Sequence, residues 1–413
     1  MVAEFLAPDR VFFEEWSRLR GVSKRSIGRA AELAAALELP LRDMPALVVV
    51  GSKGKATAAT YASAVLAAAG LRVGTITSPP VITNRERIRV DGAAIDDQTY
   101  AMIADRVGKA RCQLAPATAA SGYLSPAGMY LIAGLDALYR ARCNAFVVEA
   151  GIGGRSDEVS LLTISVLAVT RIFGEHLDLL GGSVETVAED KLAIADVGTR
   201  VVSAPQTLEV QEVMKRRHIE PLPGDLEAAA VDRSLLPPGF GSVGAAVGIA
   251  AARVYLNEPS LRMETVEEVI RTIRLPGRLT IAVDDEGRNW LADAAIDQRG
   301  IEEAVRYAER RFGNVGLVLV SLPDGKDIER TADWLDQQLG PGRWLPVIPP
   351  AASHLSYSTR AWERPLIDWD DVDDYLRGPV VAVGSWSFMS AVLARLGVRN
   401  EQAFSLSALL EKT

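Results

Sequence analysis

The chain has 413 residues, 48% of them apolar and 24% charged, with a formal net charge of −8. That length suffices for two domains, the apolar share is that of an ordinary globular chain, and the acidic balance argues against a nucleic-acid partner held by bulk electrostatics. Cys112 and Cys143 offer neither a disulfide framework nor metal-ligand spacing, and both are expected to be buried, small apolar side chains in a reducing compartment.

The opening MVAEFLAPDRVFFEEWSRLR carries acidic residues early and no long apolar core, so it does not read as a secretory signal. No apolar run approaches the length of a membrane span. A cytoplasmic protein without a membrane partner is expected.

The first candidate strand is ALVVV (46–50). It runs into a turn at Gly51 and Gly54 and continues as the Ala-rich helix ATAATYASAVLAAAG. Further strands are VGTIT (73–77), AFVVEA (145–150), SVLAVT (165–170) and RVVSA (200–204), with helical segments such as PAGMYLIAGLDALYRAR and GSVGAAVGIAAARVYL between or after them. Apolar strands without period-2 alternation, separated by helices, imply a parallel sheet covered on both faces. RLPGRL (274–279) interrupts the pattern, and Pro276-Gly277 marks a boundary. A second α/β series follows: a hairpin turning near Asp285 to Gly287, the helix EEAVRYAERRF, the strand VGLVLVSL, the helix ERTADWLDQQL, and VVAVGS (380–385) running into FMSAVLARLG. The expected architecture is α/β. An N-terminal parallel-sheet domain, with a helical N-terminal segment, spans 1–275; a smaller α/β domain spans 279–413; the hinge lies at about 274–279.

Three stretches carry chemistry. In GSKGKAT, a Gly-containing turn between strand and helix presents backbone N–H groups and the positive helix end to an anion. Lys55 adds a full charge, Lys53 a second cation, and Thr57 an oxygen for a phosphate-bound Mg²⁺. The alternative is a tight turn with surface lysines. In AFVVEAGIGGRSD, Glu149 ends a strand, where open α/β sheets place their ligands, and is suited to a nucleotide's Mg²⁺; a capping carboxylate is the plainer reading. In TRIFGEHLDLLGGSVETVAEDKLAI, His176, one of three histidines, stands beyond another strand, while Lys191 lies on a helix, by default a solvated side chain. A dinucleotide-dependent dehydrogenase is disfavoured, because the loop lacks GxGxxG and the second strand runs into Ser78-Pro79.

Together these stretches resemble the folylpolyglutamate synthase branch of the Mur ligase family. That family's loop reads roughly GTNGKGS, matched here at Gly51, Gly54, Lys55 and Thr57. TSPPV resembles its TSPHL, NRERIRVDG its NERIRING, EAGIGGRSD its EVGLGGRLD, GEHLDLLG its LDHTDLLG, and AEDKLAI its REKAGI; SAPQ, LPGRL and VAVGSWSFMSAV also match, in family order from about residue 20 to 400. The resemblance implies an ADP-forming ligase that joins a small-molecule carboxylate to an amino acid or amine through an acyl phosphate. It implies an N-terminal P-loop-type ATPase domain and a smaller C-terminal Rossmann-like α/β domain, and ATP with two Mg²⁺ sites, with Lys55 on the β- and γ-phosphates and Thr57, Ser78 and Glu149 around the first ion. His176 would take the second ion together with Lys191, carbamylated to an acidic ligand. Arg278 and Asp293 would reach the nucleotide from the hinge and the second domain.

Departures cluster on the adenosine and acceptor sides. The family's DGAHNP is DAAIDQ (293–298), which keeps Asp293 and replaces the histidine by Ile296. The asparagine of its HQxxN, which meets the adenine, is Gly244; the histidine of TSPHL is Pro80; and a Phe-Glu pair is Ala127-Gly128. A ligase with a non-folate acceptor accounts for this pattern, since the phosphate and metal side is kept. The alternative is a relative that has lost ligation and serves as a binding subunit or runs another reaction.

Overall fold

A computed structural model describes residues 8–175, 177–257, 261–350, 355–358, 362 and 364–410. These residues form two compact units. The larger comprises 8–79, 84–274 and 401–410, and the smaller 80–83 and 275–400.

The larger unit is built on β1 (Ala46–Val50), β2 (Val73–Ile76), β3 (Ile88–Val90), β4 (Ala93–Ala94), β5 (Ala145–Glu149), β6 (Ile164–Val169), β7 (Arg200–Ser203) and β8 (Leu222–Pro223). They form one sheet in the order β4-β3-β2-β5-β1-β6-β7-β8. From β2 to β8 every pair is parallel. β1 and β5 are buried throughout, which is why their sequences show no alternation. The sheet is not wholly parallel: β3 runs antiparallel to β2, and β4 to β3. The chain reverses there at Asp91 and Gly92, both at positive φ.

Its helices are α1 (Arg10–Leu19), α2 (Ile27–Ala36), α3 (Lys55–Ala68), α4 (Asp97–Arg111), α5 (Pro126–Arg140), α6 (Leu177–Leu180), α7 (Val184–Leu192), α8 (Leu208–Arg216), α9 (Leu226–Ala229), α10 (Phe240–Leu256) and α11 (Met263–Ile270). Phe12, Leu33, Tyr100, Ile103, Tyr130 and Leu135 join the core that lies against Val48, Val148 and Leu167. α3 and α10 cross with almost no space between them. A Cβ at Gly244 would stand 2.7 Å from the Gly54 carbonyl oxygen, and one at Gly248 would run into the Ala58 carbonyl.

Residues 401–410 pack on this unit, although the sequence boundary carries the second domain to the last residue. Gln402 bridges to Ala93, the Ala403 amide donates to the Gly92 carbonyl at 2.9 Å, and Phe404 is 1% exposed. Apolar burial outweighs chain position here. Cys143 is buried as expected, but Cys112 is exposed because it forms the C-cap of α4.

The smaller unit contains β9 (Thr280–Val283), β10 (Asn289–Asp293), β11 (Leu317–Ser321), β12 (Trp344–Ile348), β13 (Ile367–Asp368) and β14 (Val380–Gly384), with α12 (Gln298–Phe312), α13 (Ile328–Leu339) and α14 (Trp386–Arg395). The sheet order is β13-β12-β11-β14-β10-β9, and it is parallel apart from the β9–β10 hairpin. Separate apolar clusters cover its two faces, one around Leu291, Val318 and Trp344 and the other around Trp290, Leu319 and Phe388. Val81 and Ile82, from the loop after β2, pack on the second cluster. No helix among the described residues is long and apolar enough to cross a membrane.

Candidate nucleotide and metal site

The loop after β1 is held by glycine geometry. Gly51 has φ +135°, and a Cβ there would collide with the Thr170 hydroxyl. Gly54 has φ +83° and is the N-cap of α3, so the helix begins at Lys55 and no N-cap side chain accepts from its first N–H groups. Ser52 sews this loop to the segment after β6. Its amide donates to the Arg171 carbonyl at 2.8 Å, its hydroxyl to the Phe173 carbonyl at 3.1 Å, and it accepts the Phe173 amide at 3.0 Å.

Two lysines converge on one carbonyl. Lys55 Nζ and Lys191 Nζ each donate to the Gly51 oxygen at 3.1 Å. Lys191 Nζ also pairs with Glu175 Oε1 at 3.0 Å. Lys191 is 1% exposed, not the solvated helical lysine that its sequence context suggests. Burial and the neighbouring Lys55 charge hold its amine below the usual lysine value, and Glu175 opposes them. Lys53 is exposed, with its ammonium 5.9 Å from the Phe173 ring centre.

One strand away, at the end of β5, Glu149 Oε2 accepts the Ser78 amide at 2.9 Å. The Ser78 hydroxyl accepts from Arg87 Nη1, also at 2.9 Å. Thr57 is buried in the first turn of α3. Ser78, Arg87, Tyr130, Glu149 and Asp157 line a cavity of about 20 Å³, room for roughly one water or ion.

The Gly-rich loop after β5 is clamped to α7, the helix that carries Lys191. Asp190 accepts the Gly154 amide at 2.8 Å and the Ser156 hydroxyl at 2.9 Å. A Cβ at Gly154 would stand 2.7 Å from the Asp190 and Lys191 carbonyl oxygens. Beyond the loop, Arg25 lies 3.5 Å from Asp157 and 3.7 Å from Glu158, both almost fully buried. Burial raises the pKa of each carboxyl, and Asp157 raises that of Glu158 further. Glu158 Oε1 accepts the Ser125 hydroxyl at 2.7 Å and fills the space where a side chain at Gly128 would begin, while Oε2 is buried without a hydrogen bond.

The chain therefore brings Gly51, Gly54, Lys55 and Lys191 together around one carbonyl, and Ser78 and Glu149 around one cavity. His176 lies outside the described residues. Arg278 and Asp293 belong to the smaller unit: Arg278 is exposed over the Trp386 ring at 4.9 Å, and Asp293 accepts the Leu279 amide at 2.8 Å. Among the described residues, no group of three or more His, Cys, Asp or Glu side chains is placed to hold a metal. Sequence reasoning noted Glu175 at a strand end beside His176 without giving it a role, and did not single out Asp190 or Arg87.

No family model matches the chain. It is similar to the dihydrofolate synthase/folylpolyglutamate synthase of Bacillus subtilis, 27% identical over 342 residues that cover 74% of this chain and 78% of that protein. It is also similar to the folylpolyglutamate synthase of Lacticaseibacillus casei, 25% identical over 407 residues that cover 88% and 92%. Among solved structures, the folylpolyglutamate synthase of Mycobacterium tuberculosis complexed with ADP superposes with a TM-score of 0.77 at 20% identity, covering 94% of this chain and 99% of that one. In sequence the chain is similar to folylpolyglutamate synthases, and it shares the fold of their solved structures.

Proposed function

We propose that the chain is an ATP-dependent, ADP-forming ligase that couples a carboxylate to an amino acid or another amine, with an acceptor other than folate. The acceptor carboxylate attacks the γ-phosphorus, the bond to ADP breaks, and an acyl phosphate forms. The amine then attacks the acyl carbon, phosphate leaves and the nitrogen loses a proton. Such phosphoryl transfer needs positioning and charge neutralisation more than covalent help from the protein.

The observation that carries this reading is the convergence of Lys55 and Lys191 on the Gly51 carbonyl at the carboxyl edge of the sheet, one strand from the Ser78–Glu149 pair. Lys55 and the N-terminus of α3 are the anion-binding elements for the triphosphate. Lys53 and the smaller unit's Arg278 and Asp293 are further candidate contacts.

The donors Thr57, Ser78 and Glu149 are hard oxygens of the kind Mg²⁺ selects; the Glu149 carboxylate accepts the Ser78 amide, and the Ser78 hydroxyl accepts from Arg87. Mg²⁺, when bound, neutralises developing phosphate charge. Lys191 as an unmodified lysine does not fit a metal: its amine pairs with Glu175 and offers no carboxylate oxygen. Its role beside His176 at a second ion requires carbamylation, in which the neutral amine adds CO₂ and releases a proton to leave a carboxylate. Burial and Lys55 favour the neutral amine that this addition needs.

The relatives are named for dihydrofolate and folylpolyglutamate synthesis. A different acceptor is supported by Ala127 and Gly128 on α5 and by Arg25, Asp157 and Glu158, which fill the ground between α5 and the Gly-rich loop. The enclosed space beside Glu149 has room for a water, not for a ring system.

The test is calorimetric titration with ATP and Mg²⁺, followed by ADP release over a panel of carboxylic acids and amines. Absence of both binding heat and thermal stabilisation at millimolar ATP would remove the ligase reading. Turnover of dihydropteroate with glutamate would keep the ligase and replace the acceptor.

A further inference from the structure

A buried line of polar groups joins the N-terminal helix to Ser78, entirely within the larger unit. Asp9 occupies the N-cap of α1, a position where an aspartate ordinarily accepts helix N–H groups, yet its side chain makes no capping bond. Its carboxylate instead accepts the Tyr100 hydroxyl and lies 3.4 Å from the Tyr130 hydroxyl. The two tyrosine hydroxyls are 2.8 Å apart. The Tyr130 ring is pinned by Phe12, stacked at 4.1 Å, and the Arg87 guanidinium sits 4.4 Å from the Tyr130 ring centre. Arg87 then donates to the Asn84 side-chain oxygen and to the Ser78 hydroxyl, each at 2.9 Å, and the Ser78 amide donates to Glu149.

Arg87 is 8% exposed, and a buried guanidinium is tolerated only where negative charge compensates it. Among the described residues, its side-chain hydrogen bonds end on two neutral oxygens. The carboxylates that act on it are Glu149 and Asp9. Without Asp9, Arg87 has Glu149 as its remaining carboxylate, and a divalent cation at Glu149 must compete with that pairing. With Asp9 in place, acting through the face and hydroxyl of Tyr130, Arg87 stays on Ser78 and Asn84.

We infer that Asp9 is a positioning residue: through Tyr130 and Arg87 it orients Ser78 and keeps Glu149 available to the divalent cation that accompanies ATP. This role rests on the ligase reading. Asp9 itself touches neither Ser78 nor Glu149.

The experiment compares ATP affinity in Mg²⁺ with ATP affinity in EDTA, by calorimetry on the full chain. In Asp9→Asn the gain conferred by Mg²⁺ is expected to shrink roughly ten-fold, as when the supporting shell of a metal site is altered, while affinity in EDTA is unchanged. Tyr130→Phe, which keeps the ring over Arg87, is expected to lose less. Glu15→Gln on the same helix breaks a buried pair with Arg29 at 2.6 Å; it is expected to lower the thermal midpoint at least as much and to leave the Mg²⁺ gain intact. An unchanged Mg²⁺ gain in Asp9→Asn overturns the role and leaves the ligase standing. Equal losses in Glu15→Gln and Asp9→Asn also overturn it, since they would report general loosening of α1. If the wild type does not bind ATP at all, the ligase reading falls and the role of Asp9 with it.

Discussion

At the residue scale, the two lysines on the Gly51 carbonyl have separable jobs. Lys55→Ala is expected to abolish ATP turnover with little change in thermal midpoint, because Lys55 is only half-buried and makes one backbone bond; full activity in this variant would mean that the loop does not hold phosphate. Lys191→Ala is expected to lose activity that Lys191→Glu partly restores, since a carboxylate stands in for the carbamate. An alanine variant at full rate excludes the carbamate. Lys55, Thr57 and Glu149 could be named as candidates from a strand–turn–helix loop and a strand end, and Ser78 and Lys191 from the collinear motifs of the resemblance. Glu175, Asp190 and Arg87 could not be given roles, because these depend on which segment lies opposite: Glu175 meets Lys191, and Asp190 clamps a loop more than thirty residues upstream.

At the element scale, the crossing of α3 and α10 decides what the asparagine position can be. Gly244 packs on the Gly54 carbonyl at a distance that excludes any side chain. Gly244→Asn is therefore expected to destabilise the chain, by about 1–3 kcal/mol as overpacking typically does, rather than to restore a contact with a base. A thermal midpoint at or above wild type, with tighter ATP binding, would refute this. The hairpin of the smaller unit is a second element with a testable device. Burial opposes ionisation of Asp284, but bonds from the Trp290 indole and from the Arg288 backbone and guanidinium outweigh it and hold its pKa at about 2. The folded value lies below the ordinary aspartate value of 3.8, so the carboxylate contributes stability that is fully present above that value and lost as pH falls toward about 2. Asp284→Asn is expected to be less stable than wild type at neutral pH, with the difference vanishing across that window in acid unfolding curves. A difference independent of pH would assign the effect to shape instead of charge.

At the scale of the whole molecule, the chain does not divide once. It leaves the larger unit at residues 80–83, where Val81 and Ile82 join the smaller core, and it returns at 401–410. Deleting residues after Asn400 is expected to destabilise the larger unit, because Phe404 and the Ala403 bonds to Gly92 and Arg274 are lost. Limited proteolysis within β3 and β4 reads this directly, and unchanged protection would show that the tail contributes little. If ATP binds, folding stability should rise with nucleotide by the logarithmic law of linked binding, by roughly 2.7 kcal/mol at a hundred-fold excess over Kd, and the thermal midpoint should rise with it.

The central strands β1, β2, β5, β6 and β7, the Gly-containing turn after β1 and the family resemblance were legible in the sequence alone, because burial on both faces leaves unbroken apolar runs and a tight strand-to-helix turn selects glycine at fixed steps. The antiparallel β3–β4 edge, the return of the tail, the burial of Lys191 and the line from Asp9 to Ser78 were decided only by tertiary structure. Each depends on contacts between segments far apart in the chain, where packing and charge compensation outweigh any local preference.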